Sequence, residues 1–415
     1  MTAGAAADGR RLSLFWMLLP FALGYGGSYF FRNVNAVAGP VLAAEFGLGP
    51  GDLGFLTSAY FLAFSAAQIP LGIALDRWGP ALVNAVMLTC AAAGATIFGC
   101  ADSEAMLILG RCLIGAGAGA ALMSAMSAVH AWAPGGRAAT YIGLVMTAGG
   151  LGAILASTPT QWLIDAHGWR MVFFLLAATS CAFACANLGV ARRARQPAAA
   201  GQSLARLLAG VVSIYADMRF WRICVPLMFT LGTMLAFQSL WAALWMRDVA
   251  GIADPLAVAN VLVAFNLGMT AAFLTAGWLG DTLKARGVPH VVTVKAFLAL
   301  ALVAQAWLMA APAFLPHLAW GMLSYGANAL MLGYALLAEH FPAELTGRVN
   351  TSLNLMSFSC AFFVQWGIGL VVSLWPAAGA GYAPQGYYAA WGILFAVQLV
   401  AVGWLFAAGG KSSAP

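Results

Sequence analysis

The chain has 415 residues, 63% of them hydrophobic and only 8% charged, with a mean hydropathy of +0.88. Soluble domains carry about 25% charged residues, so this composition excludes a water-soluble globular protein and places most of the sequence in lipid. The net charge of +6 does not point to nucleic acid, because the basic residues stand at the ends of apolar runs, the pattern of membrane orientation.

Breaks at polar and Gly/Pro-rich points predict an all-α membrane protein of twelve transmembrane helices. They run near 14–40, 53–75, 81–100, 105–131, 138–164 and 170–191, then 221–246, 256–280, 289–311, 314–338, 348–374 and 387–408. Each can cross about 30 Å of hydrocarbon. The apolar run after Arg10 and Arg11 is too long for a signal h-region and lacks a small-residue cleavage site, so no cleaved signal is expected.

The first span contains SYFFRNVNAVAGP, with Arg32 past its middle, beyond snorkelling reach of the cytoplasm. A charge at mid-membrane costs about 2.5–3.5 kcal/mol on insertion scales, which marks a functional residue. After the second span comes GIALDRWG, with Gly72, Asp76, Arg77 and Gly79. The fourth span contains GRCLIGAGAGA, with Arg111, and WAPGGRAAT with Arg137 precedes the fifth. The polar stretch RRARQPAAAGQSLARLL then divides the chain into an N-terminal six-helix bundle (1–191), a cytoplasmic linker (192–220) and a C-terminal six-helix bundle (221–415). After the eighth span stands GWLGDTLKARG, with Gly277, Asp281, Lys284, Arg286 and Gly287, and FPAELTGRVNT with Arg348 precedes the eleventh. The same two loop signals thus recur in order in each half, as duplication of a six-helix unit produces. Fourteen of the nineteen Lys and Arg residues fall on one side. That side is cytoplasmic by the positive-inside rule, which puts both termini in the cytoplasm of a multi-pass inner (plasma) membrane protein.

These loops, the span count and the fourth-span motif resemble the major facilitator superfamily over the whole chain. The resemblance implies a secondary transporter. In it, Gly72, Asp76, Arg77, Gly79, Arg111, Arg137, Gly277, Asp281, Lys284, Arg286 and Arg348 would serve gating, with Asp76 bridging to Arg137 and Asp281 to Arg348. YFFRNVNAVAGPVLAAEFGLGPGDLGFL further resembles the first span and loop of the anion:cation symporter branch. There Arg32 would contact an anionic substrate group, with Tyr29 and Asn33 or Asn35 beside it. The branch's acid just before this arginine is Phe31 here, and its fourth-span acid would fall near Gly117 or Ala118, where none exists. The Gly-Pro pair of drug-efflux branches is missing from TAGGLGAILASTPTQW.

All thirteen acids fall near span ends, so a carboxylate-based proton relay lacks its parts. Alignment of the halves puts Leu240 opposite Arg32, which argues against a dianion held by two symmetric arginines. Lys295, the other cation inside a span, suits snorkelling, and His130 is a titratable group near an inner span end. The seven cysteines fall in apolar runs, as small buried hydrophobes do. The remaining cavity candidates are Tyr25, Tyr60, Gln161, Gln238, Trp241, Asn266, Tyr325, Asn328, Asn354 and Gln365. Each is also of the type that serves as an interhelical hydrogen bonder.

No HExxH, GxSxG or paired intramembrane carboxylates are present, so no enzyme activity and no cofactor or metal are expected. The expected function is secondary transport of a small organic anion, a carboxylate, held by Arg32, in symport with a proton or exchange with a counter-anion. The alternative is a carrier of neutral or cationic metabolites or drugs with Arg32 structural. The expected partners are the anionic substrate and membrane lipid, with no nucleic acid, and a monomer is expected.

Overall fold

The computed structural model describes residues 3–133, 138–193, 212–328, 330–342, 345–376 and 381–407, which are helical and form no strands. Among the described residues, ten helices are long and apolar enough to cross a membrane, and an eleventh span results if one bent pair is counted together. Helix α1 spans Ala3–Phe46, α2 Pro50–Trp78, α3 Pro80–Gly99, α4 Glu104–Ala118, α5 Ala120–Trp132, α6 Ala138–Leu155, α7 Thr158–His167 and α8 Trp169–Arg193. Then come α9 (Met218–Ala236), a π-helical turn (Phe237–Trp241), α10 (Ala242–Asp248), α11 (Pro255–Ala285), α12 (His290–Ala310), α13 (Pro316–Ala327), α14 (Leu330–Ala338), α15 (Thr346–Val372) and α16 (Pro384–Ala407).

Local sequence explains the helix ends. Proline stands at the start of α2, α3, α11, α13 and α16, where its fixed φ suits a first turn and its missing N–H costs nothing. Asp254 caps α11, accepting from the N–H groups of Leu256 and Ala257. The two repeated loops each turn on a left-handed glycine, Gly79 at φ 76° and Gly287 at φ 86°, a conformation that strains any residue with a Cβ. The duplication read from the sequence therefore has the same backbone device in both copies.

Four expected spans are interrupted. The fourth span breaks at Gly119, between α4 and α5. α6 and α7 meet at a 42° bend, where Pro159 removes a backbone donor just after Ser157 and Thr158. The tenth expected span, 314–338, divides into α13 and α14 at Asn328, whose Nδ2 donates back to the Ser324 carbonyl at 2.7 Å. In the seventh, a π-turn at Phe237–Trp241 lies inside a continuous run of buried residues, Thr230 to Met246. Such turns insert an extra residue into a helix and often mark functional segments.

The chain forms two compact units: residues 1–32, 62–156 and 163–201, and residues 33–61, 157–162 and 202–415. In the first, α3 packs on α4 and α8. A Cβ on Gly94 would lie 2.8 Å from the Gly110 carbonyl, so these backbones touch because both positions lack side chains. α1 and α6 meet as closely where Gly152 rests on the Gly26 carbonyl. Asn84 of α3 donates to Asn187 of α8 at 3.3 Å.

In the second unit, α9 packs on α15, and α13 on α11 and α12. Gln305 of α12 and Gln398 of α16 exchange hydrogen bonds at 2.9 and 3.1 Å. Segments from early in the chain are part of this packing. Gly54 of α2 lies against Trp241 and the Gln365 carbonyl, and Gly369 lies against the Pro50 carbonyl. Phe55 meets Trp366 edge-on at 5.3 Å. At the end of α10, the buried Asp248 carboxylate accepts from Tyr387 Oη at 2.7 Å and from the Tyr382 N–H at 3.1 Å, and it pairs with Arg247. Tyr382 Oη in turn donates to the Leu48 carbonyl at 3.4 Å.

Candidate functional site

In the first unit, Arg32 is 4% exposed. Its guanidinium carbon lies 4.3 Å from the centroid of the Tyr29 ring and 5.6 Å from that of Phe64. Aromatic faces attract a cation through their quadrupole, by about 0.5–2 kcal/mol. The two rings thus flank the buried cation, and a guanidinium is a planar group whose fork matches carboxylate geometry.

Helix spacing builds the wall beside Arg32. Tyr25 and Tyr29, four residues apart, meet edge to face at 5.1 Å on one face of α1. Tyr25 Oη donates to Met146 Sδ at 3.6 Å. Both rings sit over Gly149 of α6, where a Cβ would come within 2.7 Å of Tyr25. The fully buried Arg111 donates from Nη1 to the Phe31 carbonyl at 2.8 Å. The residue expected to serve gating thus reaches the backbone immediately before Arg32. Ser28 donates to the Ala118 carbonyl at 3.3 Å, at the interruption between α4 and α5.

The other cavity candidates divide by their partners. In the second unit, Gln238 on the π-turn donates to Asn266 at 2.7 Å, and Asn266 donates to Ser157 at 3.0 Å. Thr158 donates to Asn260 at 2.8 Å. The bend before Pro159 therefore presents two hydroxyls to α11. Trp241 donates to the Gln365 carbonyl at 2.9 Å, and Ser239 lies 3.1 Å from the Gln365 amide. These pairs have the form of interhelical polar contacts. Asn35 donates to Thr57 at 3.2 Å, while the buried side chain of Asn33 makes no hydrogen bond. Tyr60 packs edge-on against Phe61 at 5.5 Å. Gln161 is buried, and Asn354 half-buried. Tyr325 stands apart from the π-turn group, sharing a hydrogen bond with Thr275 at 3.0 Å and stacking on Phe297. Asn328 closes its own helix end, as described above.

Among the loop residues, Asp76 and Arg77 are exposed, with Arg77 5.5 Å over the Trp78 ring. Among the described residues, a methyl group at Gly72 or Gly277 would meet nothing within 4 Å. Asp281 is 83% exposed at its side chain and lies 3.7 Å from His290. Lys284 pairs with Glu339, Arg286 is exposed and Arg348 is half-buried. Arg137 lies outside the described residues. Lys295 sits 4.9 Å over the Phe406 ring, as a snorkelling lysine does.

Sequence reasoning missed Phe64 and His290. Phe64 is one of 25 phenylalanines, and nothing in its spacing marks it. His290 follows the second repeated loop, but the first loop has no histidine after Gly79 to make it a pair.

Residues 21–364 match the family model of the Major Facilitator Superfamily. The chain belongs to the major facilitator superfamily. Among curated relatives, a probable sulfoacetate transporter of Cupriavidus necator is 30% identical over 37% of this chain and 36% of its own length. The hexuronate transporter of Escherichia coli is 28% identical over 42% of this chain and 40% of its own. Both matches thus span well under half of those relatives. A probable galactarate/D-glucarate transporter of E. coli is 22% identical over 89% of both chains. Among solved structures, a bacterial homolog of the human lysosomal transporter Spinster, inward-facing and unoccupied, aligns with a TM-score of 0.76 at 17% identity, covering 95% of this chain and 96% of that one. A D-xylose-proton symporter aligns with a TM-score of 0.69 at 14% identity, covering 94% and 97%. At these identities the structural likeness concerns the fold of the superfamily alone.

Proposed function

We propose that this chain is a secondary transporter that carries a small organic anion, a carboxylate, across the inner membrane by alternating access. The observation that carries this reading is Arg32, a guanidinium 4% exposed within an apolar span and stacked on Tyr29. Keeping such a charge inside a membrane is expensive, and an anionic ligand offsets that cost while using the planar fork. The relatives named for sulfoacetate, hexuronate and galactarate/D-glucarate support an organic acid as cargo.

The reading takes twelve spans, with the bent α6–α7 pair as the fifth and α13 with α14 as the tenth. Two six-helix bundles, 1–191 and 221–415, rock about the linker 192–220, with both termini cytoplasmic. The repeated loops gate the cytoplasmic side, and the open space beside Gly72 and Gly277 supports this. In the closed state of this reading, a neighbouring helix closes on these two glycines.

Counterflow in proteoliposomes tests the function. Labelled D-galacturonate, D-glucarate and sulfoacetate, with glycerol 3-phosphate as a phosphate ester, are the probes. Uptake of at least one carboxylate, competed by other organic acids, is expected. Transport of neutral or cationic solutes alone, undiminished in Arg32→Ala, would overturn it.

A further inference from the structure

Outside the Arg32 site, a group of ionisable side chains in the second unit lies where ends of α11, α12 and α14 meet. His290, the first residue of α12, is 5% exposed. Its Nδ1 lies 2.9 Å from Glu339 Oε1, just beyond α14, and its Nε2 lies 3.7 Å from Asp281 Oδ1, near the end of α11. Lys284 of α11 pairs with the same Glu339 oxygen. Of the other charged or titratable residues nearby in sequence, Arg286 is exposed, Lys295 sits over Phe406, and His340, next to Glu339, places Nδ1 2.8 Å from the Leu336 carbonyl. Burial raises the pKa of Glu339. Hydrogen bonds from Lys284 and His290, and the charges of both, outweigh it and hold the carboxyl below its ordinary value.

Each ring nitrogen of His290 therefore faces its own carboxylate. A neutral imidazole donates from one nitrogen and presents a lone pair at the other. If Nδ1–H serves Glu339, the lone pair of Nε2 faces Asp281, which is repulsive. Only the imidazolium donates on both sides. The charge balance agrees: with a neutral ring, the two carboxylates face a single ammonium, and protonation of the ring makes the group neutral. Histidine is the side chain that changes charge between about pH 5 and 8.

We infer that His290 is a proton-binding site that clamps the ends of α11, α12 and α14 together when it is charged. The proton adds at Nε2, and the resulting N–H engages Asp281, which belongs to the second repeated loop. Under the transporter reading this face is cytoplasmic, so an acid cytosol holds Asp281 on His290 and withholds it from any gating partner. An alkaline cytosol releases it. Only this direction of effect rests on the transporter reading; the proton site itself does not.

Hydrogen–deuterium exchange of the full-length protein in lipid nanodiscs at pH 6 and pH 8 tests the site without any substrate. Segment Pro80–Gly99 corrects for the intrinsic pH dependence of exchange. Residues 281–290 and 336–341 of the wild type are expected to be about threefold or more better protected at pH 6. The ratio should fall to about one in His290→Gln and be reduced in Asp281→Asn, which keeps the Glu339 contact. A wild-type ratio near one, or one unchanged in both variants, overturns the inference. Should His290→Gln fold poorly, Asp281→Asn alone decides. Carboxylate counterflow with a flat exchange ratio would remove the proton site and leave the transporter. The expected ratio without carboxylate transport would do the reverse.

Discussion

At the scale of single residues, the guanidinium of Arg32 and the ring of Tyr29 do different work. Under the proposed function the fork would supply two parallel charge-assisted hydrogen bonds to the carboxylate, with the Tyr29 ring beside it. Arg32→Lys keeps the charge and loses the fork. Carboxylate counterflow is expected to fall by about 10-fold or more, the equivalent of one charge-assisted hydrogen bond, with an unchanged melting temperature. Tyr29→Phe keeps the aromatic face and should leave apparent affinity within about threefold. Tyr29→Leu removes it and should weaken affinity by about 3- to 30-fold. Equal losses in both Tyr29 variants would assign the role to the hydroxyl. Arg32 was legible in the sequence because an arginine in an apolar run has few structural excuses. Phe64 was not, because an aromatic residue in a span looks like any other lipid-soluble side chain.

At the scale of elements, the loops were legible and the interruptions were not. Gly79 and Gly287 announce their turns by residue type, and proline marks five helix starts. Hydropathy, by contrast, averages over a window and does not locate the α6–α7 bend, the π-turn or the break at Asn328. Pro159 was the one local signal, and its effect depends on Asn260 and Asn266 from α11 taking up the exposed hydroxyls. Two glycine substitutions separate packing from movement. Gly152→Ala forces a methyl group into the Gly26 carbonyl, and such overpacking costs about 1–3 kcal/mol, to be read as a lower melting temperature. Gly72→Ala meets open space and gains up to about 1 kcal/mol of helix propensity. Its melting temperature should hold or rise while transport falls by several fold, since the methyl group obstructs the closed cytoplasmic state. Normal transport by Gly72→Ala would argue against closure on that face.

At the scale of the whole molecule, the buried guanidinium bears on coupling. Passing through an occluded state takes that charge out of water, at a cost that an accompanying anion lowers. Loaded carriers should then reorient faster than empty ones. Efflux of preloaded carboxylate is expected to accelerate several fold when the external buffer contains the same carboxylate. Efflux indifferent to external substrate would instead point to net, ion-driven transport. The covalent order of the chain and its packing also differ. The sequence divides near the polar stretch 192–220, yet residues 33–61 and 157–162 belong to the same compact unit as residues 202–415.

That shared packing has a consequence for how the protein is made. A ribosome finishes residues 33–61 and 157–162 long before it reaches Trp241, Asn266, Gln365 or Tyr382, the groups against which those early segments come to rest. Until then Gly54, Phe55, Ser157 and Leu48 lack these later partners. The nascent N-terminal portion should accordingly stay cleavable by added protease near residues 47–52 throughout the first part of synthesis. It should become resistant only once the sequence through about residue 390 has left the ribosome. Pulse-labelled nascent chains arrested at successive lengths would reveal the step, and in Tyr382→Ala its onset should blur.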